Sequence, residues 1–281
     1  MEQPTLFDNV ITTSEVSYDK FTIDELFKRS LKYKNSKEFI KFFQFIASFN
    51  HYSRYNTMLV YIQNPEVTFF GGTTFWRHRG RSINIEAKPL LILCPNGPMM
   101  CVYDIFDTSG KATPLEYLNK GSGNSDIEGV ISQKIYDNTI KQVKNWGINL
   151  AYKPLSFFKG GFITTLLSGK LDIVLKENAT KEENFSVLIH ELAHLFLGHT
   201  GHSTIKNSTR NKEITLLQRK YDKTTRELEA ETVSYLICSK LGLKTTSAEY
   251  LGVYIRNESD LLNFNFELVI KIADKIESFI K

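Results

Sequence analysis

The chain has 281 residues, of which 42% are hydrophobic and 23% are charged. This composition excludes a disordered or fibrous protein, and the length suits two domains. A net charge of +4 neither requires nor excludes a nucleic-acid partner. The three cysteines are few, odd in number and without metal-ligand spacing, which argues against a disulfide framework and indicates a cytoplasmic protein. No apolar run is long enough for a membrane helix, so we expect no membrane partner.

The first 120 residues have the pattern of helices followed by a small sheet. Apolar residues at helical spacing predict helices over residues 22–33, 36–49 and 55–63. Short apolar runs between residues 67 and 108, separated by turn signals such as Asn96-Gly97, predict antiparallel strands. The stretch 120–125 is the best linker candidate. We therefore predict an N-terminal α+β domain over residues 1–120.

The second predicted domain covers residues 126–281. Its pattern predicts a helix over residues 126–146, strands over 149–155, 162–166 and 171–175, and helices over 180–199, 213–241, 247–254 and 266–281. Thr180 and Glu183 have the spacing of a capping box at the start of the 180–199 helix. The predicted fold class of the whole chain is α+β.

The helix predicted over residues 180–199 carries an H-E-x-x-H motif, His190-Glu-Leu-Ala-His194. Residues at i and i+4 lie on one helix face, so both imidazoles can bind the same tetrahedral Zn²⁺. Glu191 lies beside the first ligand and can take a proton from water as general base. The alternative is a chance match whose histidines bond to carbonyl groups. The capping box and the surrounding apolar residues favour the zinc site.

A third protein ligand is needed, and the acidic run Arg226-Glu-Leu-Glu-Ala-Glu231 offers candidates. Glu227 and Glu231 share a helix face, so one can complete a His₂Glu site while the other orients a ligand histidine. His199 and His202 are interpreted as loop or rim residues, although either remains an alternative ligand. Without the upstream motif, the acidic run would be interpreted as a solvated helix face.

Two segments of residues 126–281 carry a resemblance to a known family. They are His190-Glu-Leu-Ala-His-Leu-Phe-Leu-Gly-His199 and Arg226-Glu-Leu-Glu-Ala-Glu-Thr-Val-Ser-Tyr-Leu-Ile-Cys238. They resemble the ImmA/IrrE family of zinc metallo-endopeptidases, and E-x-x-A-E is similar to the gluzincin signature. The resemblance implies a zincin-like domain with His190, His194 and Glu227 as ligands of Zn²⁺. It also implies Glu191 as the catalytic base, Glu231 behind a ligand histidine, and a protein substrate such as a repressor or another regulator.

The N-terminal half carries a weaker resemblance. Its segments are Tyr52-Ser-Arg-Tyr-Asn56, Gln63-Asn-Pro65, Trp76, Gly80-Arg81 and Pro89-Leu-Leu-Ile-Leu93. They look like the single-stranded-DNA-binding domain of ArdC-type antirestriction proteins, which precedes a zincin domain.

Residues 1–120 hold 14 Lys and Arg against 12 Asp and Glu, so their charge alone is no argument for DNA. The candidate DNA-binding residues are Trp76, Arg77, Arg79 and Arg81, because single-strand binding combines aromatic platforms with cations. The alternative is an ordinary exposed strand beside a core tryptophan.

The main prediction from the sequence is an enzyme, a zinc-dependent metallo-endopeptidase with a regulatory or mobile-element role. Its alternative is a single-stranded-DNA-binding antirestriction or regulatory protein whose zinc site is mainly structural. A third hypothesis is a protein-interaction module whose metal site no longer catalyses a reaction. It is disfavoured because a purely structural metal site has no need of Glu191. The strand over residues 171–175 is predicted to offer its edge to a substrate peptide.

Overall fold

The computed structural model describes residues 36–49, 51–94, 99–121, 129–155, 160–166, 169–207, 209–243 and 261–280. Within these ranges the chain is α+β, which confirms the predicted fold class. No described helix is long and apolar enough to cross a membrane. The predictions for the 22–33 helix, the Asn96-Gly97 turn, most of the 120–125 linker and the 247–254 helix lie outside the described residues.

The helices and strands of the described residues are numbered here in chain order. The helices are α1 (Ser36–Ser48), α2 (Arg54–Gln63), α3 (Thr73–His78), α4 (Pro114–Gly121), α5 (Gln133–Asn145), α6 (Lys181–Phe196), α7 (Lys223–Lys240) and α8 (Phe266–Ile280). The strands are β1 (Phe70–Gly72), β2 (Arg81–Ile83), β3 (Leu90–Ile92), β4 (Met100–Asp104), β5 (Thr108–Gly110), β6 (Asn149–Lys153), β7 (Gly161–Thr165), β8 (Leu171–Lys176), β9 (Ser203–Asn207) and β10 (Lys212–Leu216).

The helix predicted over residues 126–146 begins only at Gln133, and parts of two other predicted elements exchange helix for strand or strand for helix. Residues 76–78, predicted as the start of an alternating strand over residues 76–85, belong to the short helix α3, which buries the Trp76 side chain. Residues 213–216, predicted as the start of a long helix, belong to β10, and α7 begins only after the N-cap Asp222. In both places contacts with the rest of the fold outweigh the local pattern.

The strands form small sheets. In the N-terminal half, β1, β4 and β3 form an antiparallel sheet, and β2 pairs with β5. In the C-terminal half, β8 lies between β6, which is parallel to it, and β7, which is antiparallel. The prediction that residues 171–175 offer a free edge is therefore wrong, because β8 is the central strand. The edge strand on its antiparallel side is β7.

The larger hydrophobic core lies among α6, α7 and α8 and includes side chains of α1 and β8. Phe39 and Phe43 of α1 pack against Phe264 and Phe266, with ring centroids 5.1 to 5.9 Å apart. The N-terminal helices thus share a core with the C-terminal half. The predicted division into domains at residues 120–126 stays a prediction, as does the zincin-like character of the second domain.

Arg54 of α2 connects the N-terminal helices to α8. Its side chain is 4% exposed, and its guanidinium group bonds to Asp274 and lies 2.9 Å from Glu277 Oε2. It also donates to the carbonyl oxygen of Leu236 in α7, at 3.3 Å. A buried charge of this kind adds little net stability, but the loss of its partner leaves uncompensated charge in the interior.

We expect Arg54→Met to lower the free energy of unfolding by about 2 kcal/mol, because the hydrogen bonds to Asp274 and to the Leu236 carbonyl oxygen are lost, while Glu277 keeps its ion pair with Lys240. Urea denaturation measures the change. Lys41→Met is the control, since it removes only the exposed ion pair with Glu38 and should change stability by less than about 1 kcal/mol. Equal effects of the two substitutions would contradict the role given to Arg54.

Candidate metal centre

The H-E-x-x-H motif lies on α6, and the start of this helix is fixed by the predicted capping box. Thr180 Oγ1 accepts a hydrogen bond from the Glu183 backbone N–H at 3.2 Å, and the Glu183 carboxylate accepts from the Thr180 N–H at 2.7 Å. This start sets which face of α6 is buried. Leu188 and Leu192 are fully buried, while His190 keeps partial exposure beside the neighbouring helix.

The second helix of the site, α7, is held against α6 inside the core. Asp222 caps it by accepting from the Thr225 N–H at 2.9 Å. Further along, the Ser234 hydroxyl donates to the Ser186 carbonyl oxygen of α6 at 3.3 Å, and Ala230 is fully buried. The packing of the two helices brings the acidic run of α7 to the histidines of α6.

Three donor atoms from these helices meet at one point. His190 Nε2 and His194 Nε2 are 3.1 Å apart, and each lies 3.4 Å from Glu227 Oε2. All three atoms lie within 4.8 Å of one another. Ligands of a tetrahedral ion with bonds of 2.0–2.1 Å are about 3.3 Å apart, so the donor set fits one divalent cation and leaves a fourth position.

The second acidic candidate, Glu231, takes a different place. Its Oε2 lies 3.0 Å from Nδ1 of His190, the ring nitrogen that faces away from the other donors. A hydrogen bond at Nδ1 keeps the proton there and leaves the lone pair of Nε2 for a metal. The sequence left the roles of Glu227 and Glu231 open, and the structure places them at opposite nitrogens of one imidazole.

The electrostatics of the cluster favour an added positive charge. Burial by itself disfavours the charged form of His190, but hydrogen bonds to Glu227 and Glu231 outweigh it and raise the pKa of His190 to about 10. Burial would raise the pKa of Glu227, yet its hydrogen bonds to His190 and His194 hold that pKa well below its usual range. In the absence of a cation, a proton on His190 offsets part of this negative charge. A bound divalent cation would supply positive charge in its place.

Glu191 lies outside the three-donor cluster and faces the sheet. Its side chain is 8% exposed, and its Oε2 accepts a hydrogen bond of 2.9 Å from the Ile163 backbone N–H. Ile163 is in the edge strand β7, so this hydrogen bond links the motif helix α6 to the edge of the sheet. The charge of Glu191 acts on His190, so its carboxylate lies near the cluster although it is not one of the three donors.

A chain of buried side chains lies behind His194, and sequence reasoning did not predict it. His194 Nδ1 is 3.1 Å from His199 Nδ1, and His199 Nε2 is 3.0 Å from Glu229 Oε2. Arg219 donates to both oxygens of Glu229, at 2.8 and 3.1 Å. The sequence pattern indicates a loop or rim position for His199. It gives Glu229 no role, and the alternative for the acidic run 226–231 is a solvent-exposed helix face. Both are buried in the structure. The other rim candidate, His202, is exposed.

The candidate DNA-binding residues divide into two pairs. Trp76 is fully buried and donates from Nε1 to the Tyr103 carbonyl oxygen at 3.1 Å. Arg81 is 4% exposed, and its Nε donates to Thr108 Oγ1 at 2.7 Å. This corrects the expectation for these two side chains, since both are occupied inside the fold. Arg77 and Arg79 are exposed, so their contact with DNA stays a prediction.

Comparison with known proteins gives distant similarities. No protein-family model matches the chain. An uncharacterized Bacillus anthracis protein, pXO2-81, is 22% identical over an alignment of 312 positions that covers 93% of this chain and 50% of that protein. The chain thus spans about half the length of the curated relative that it matches.

Two solved structures are similar to the chain, both of the antirestriction protein ArdC from the R388 plasmid. The Mn(II)-bound form has a TM-score of 0.45 at 13% identity and covers 92% of this chain and 96% of its own. The metal-free form has a TM-score of 0.38 at 13% identity and covers 80% and 81%. Of the two resemblances in the sequence, the solved structures match the ArdC-type one, and no comparison shows the ImmA/IrrE family.

We expect Glu227→Ala to lower the metal content of zinc-supplied protein, because it removes one of three donors. Glu231→Ala should keep more metal, since it removes only a contact to His190 Nδ1. Loss of such a supporting contact weakens metal binding by about 10- to 100-fold, and loss of a metal-binding atom should weaken it further. Elemental analysis and zinc titration of the purified proteins measure both. Full zinc retention in Glu227→Ala would move the third ligand elsewhere.

Proposed function

We propose that the chain is a metal-dependent hydrolase that cleaves peptide bonds, a zinc metallo-endopeptidase. The observation that carries the proposal is the set of three donor atoms at tetrahedral spacing with the Glu191 carboxylate beside it. A site that only stabilised the fold would be closed by a fourth protein ligand and would have no use for Glu191. Two histidines, one carboxylate and an open position are instead typical of catalytic zinc.

His190, His194 and Glu227 would hold the cation. A divalent ion bound there supplies Lewis acidity to water and to a substrate carbonyl group. Imidazole ligands suit Zn²⁺, whereas carboxylate ligands also suit Mn²⁺. Because one of the similar ArdC structures is described as Mn(II)-bound, Mn²⁺ is the second metal to compare with Zn²⁺.

Glu191 is the general base of the proposed reaction. Its carboxylate takes a proton from the attacking water and returns it to the leaving amine. The hydrogen bond from Ile163 fixes the carboxylate at the edge of β7.

The edge strand β7 favours a peptide substrate over other hydrolysable groups. An extended peptide can pair with a strand edge through its main chain, which recognises the backbone without demanding one sequence. Beside Glu191, this pairing would bring a peptide carbonyl group to the metal centre. The protein partner suggested by the sequence resemblance, a repressor or another regulator, would be bound through such an extended segment.

We expect Glu191→Gln to retain bound metal but to lower the rate of peptide cleavage by at least about 100-fold, since the base is lost and no donor is removed. Mass spectrometry of a mixed peptide library counts the new N-termini, and elemental analysis reports the metal. Glu213→Gln is the matched control, because this exposed glutamate lies on β10, which pairs with β9, and the variant should cleave like wild type. Undiminished cleavage by Glu191→Gln would reject this mechanism.

A second candidate function is binding of single-stranded DNA by an antirestriction or regulatory protein. The observation in its favour is the exposed basic end of α3, where Arg77 and Arg79 are both accessible. Arg79 lies 3.6 Å from the centroid of the Phe75 ring, which combines a cation with an aromatic surface. Such pairs are the elements of sequence-tolerant single-strand binding.

We expect the double substitution Arg77→Gln, Arg79→Gln to weaken binding of labelled oligothymidylate and to reduce its salt slope by about 1.4, because two phosphate contacts are lost. Fluorescence anisotropy at several salt concentrations measures both. Arg81→Gln is the contrast: this side chain is buried, so its loss should lower stability and leave the salt slope unchanged. No binding by wild type at low salt would remove the candidate.

A further inference from the structure

The residues behind His194 form a buried network that the proposed reaction does not use. Its members are His199, Glu229 and Arg219, which link the end of α6, the helix α7 and the segment that follows β10. The side chains of His199 and Glu229 are 1% and 0% exposed. Burying a charged carboxylate is costly unless it is paired and hydrogen-bonded, so the partners of Glu229 need a physical explanation.

The direction of each hydrogen bond follows from the donors of the metal centre. His194 directs Nε2 towards His190 and Glu227, so a bound cation requires the lone pair at Nε2 and the proton at Nδ1. His199 Nδ1 must then accept that proton's hydrogen bond. The remaining proton of His199 is on Nε2 and donates to Glu229, because a carboxylate can only accept.

Glu229 is fixed from several sides. Arg219 donates to both carboxylate oxygens, and the Asn265 backbone N–H donates to Oε1 at 3.0 Å. The guanidinium group balances the carboxylate charge, and both oxygens receive hydrogen bonds from groups that can only donate. Glu229 therefore remains an acceptor for His199.

The turn at the end of α6 positions both His199 and Arg219. Gly198 has a φ of +76°, and a Cβ atom there would lie 2.2 Å from the Leu217 carbonyl oxygen, so this close approach requires glycine. The Arg219 N–H donates to the Gly198 carbonyl oxygen at 2.9 Å. The same contact that turns His199 back towards His194 thus holds Arg219 beside Glu229.

We propose that His199, Glu229 and Arg219 are positioning residues that fix the tautomer and ring orientation of His194, and that none of them binds the metal. The inference rests on the metal site of the proposed function. It assigns the two ligand histidines different supports: Glu231 contacts His190 directly, whereas Glu229 acts on His194 through a second imidazole. Contacts of this kind orient metal ligands and raise their affinity for the metal.

The experiment compares metal affinity with stability, since a histidine that only fills the core would affect stability alone. In the full chain, His199→Phe keeps a ring of similar size but removes both hydrogen bonds. We expect it to weaken Zn²⁺ binding by about 10- to 100-fold, measured by competition with a chromophoric chelator. It should also change the visible absorption of the Co²⁺-substituted protein.

Two further variants separate positioning from packing. His199→Asn places an amide oxygen where Nδ1 was, so it should recover part of the Zn²⁺ affinity lost in His199→Phe. Arg54→Met disturbs the distant contact with α8 and should lower the stability of the metal-free protein without changing the Zn²⁺ dissociation constant. If His199→Phe does not fold, Arg219→Met decides, with an expected weakening of about tenfold.

The outcomes distinguish the two proposals. Wild-type protein that binds neither Zn²⁺ nor Co²⁺ would overturn the proposed function and this inference together. If wild type binds Zn²⁺ and His199→Phe has the same dissociation constant and the same Co²⁺ spectrum, the inference alone would be overturned. If His199→Phe does not fold, an unchanged dissociation constant in Arg219→Met would overturn it. Equal weakening in His199→Asn and His199→Phe would also overturn it, since the acceptor for His194 would then be irrelevant.

Discussion

The close packing of α6 against α7 is the constraint on which the metal centre depends. Two donors come from α6 and the third from α7, so a shift of one helix by a fraction of an ångström would change both distances to Glu227 Oε2. The buried Leu188, Leu192 and Leu228 fill the space between and around these helices, and densely packed interiors resist such shifts. The phenylalanines of α1 and the helix α8 cover this core, so the N-terminal half also supports the site.

Four glutamates close to the two histidines show how the partner of a carboxylate sets its role. Glu229, the most deeply buried, is balanced by the full charge of Arg219 and serves as a fixed acceptor. Glu227 faces two imidazole nitrogens, and Glu231 faces the opposite nitrogen of one imidazole. Glu191 is held by a backbone N–H. Apart from the Glu229–Arg219 pair, these carboxylates leave negative charge that a cation would neutralise.

Sequence patterns predicted the structural features that depend on residues close together in the chain. The capping box at Thr180, the helical spacing of the motif and the α+β class followed from periodicity and caps. Contacts between distant segments were not predictable in this way. The apolar run 171–175 does not reveal that strands flank it on both sides, and the burial of Trp76 depends on the strand β4. The role of His199 depends on a turn at Gly198 and on Arg219, which is 20 residues away along the chain.

The N-terminal motifs that resemble ArdC-type proteins have packing roles in this structure. Asn56 and Gln63 of α2 each use both ends of the side-chain amide on the backbone of Leu93 and Leu91, at 2.8 to 3.0 Å. They thereby cover the outer edge of β3, which would otherwise leave unpaired backbone groups. Arg54, in the same segment, is occupied by α8. Because these residues stabilise the fold, a resemblance that they carry predicts similar packing and not DNA binding. The residues with which to test DNA binding are the exposed cations Arg77 and Arg79.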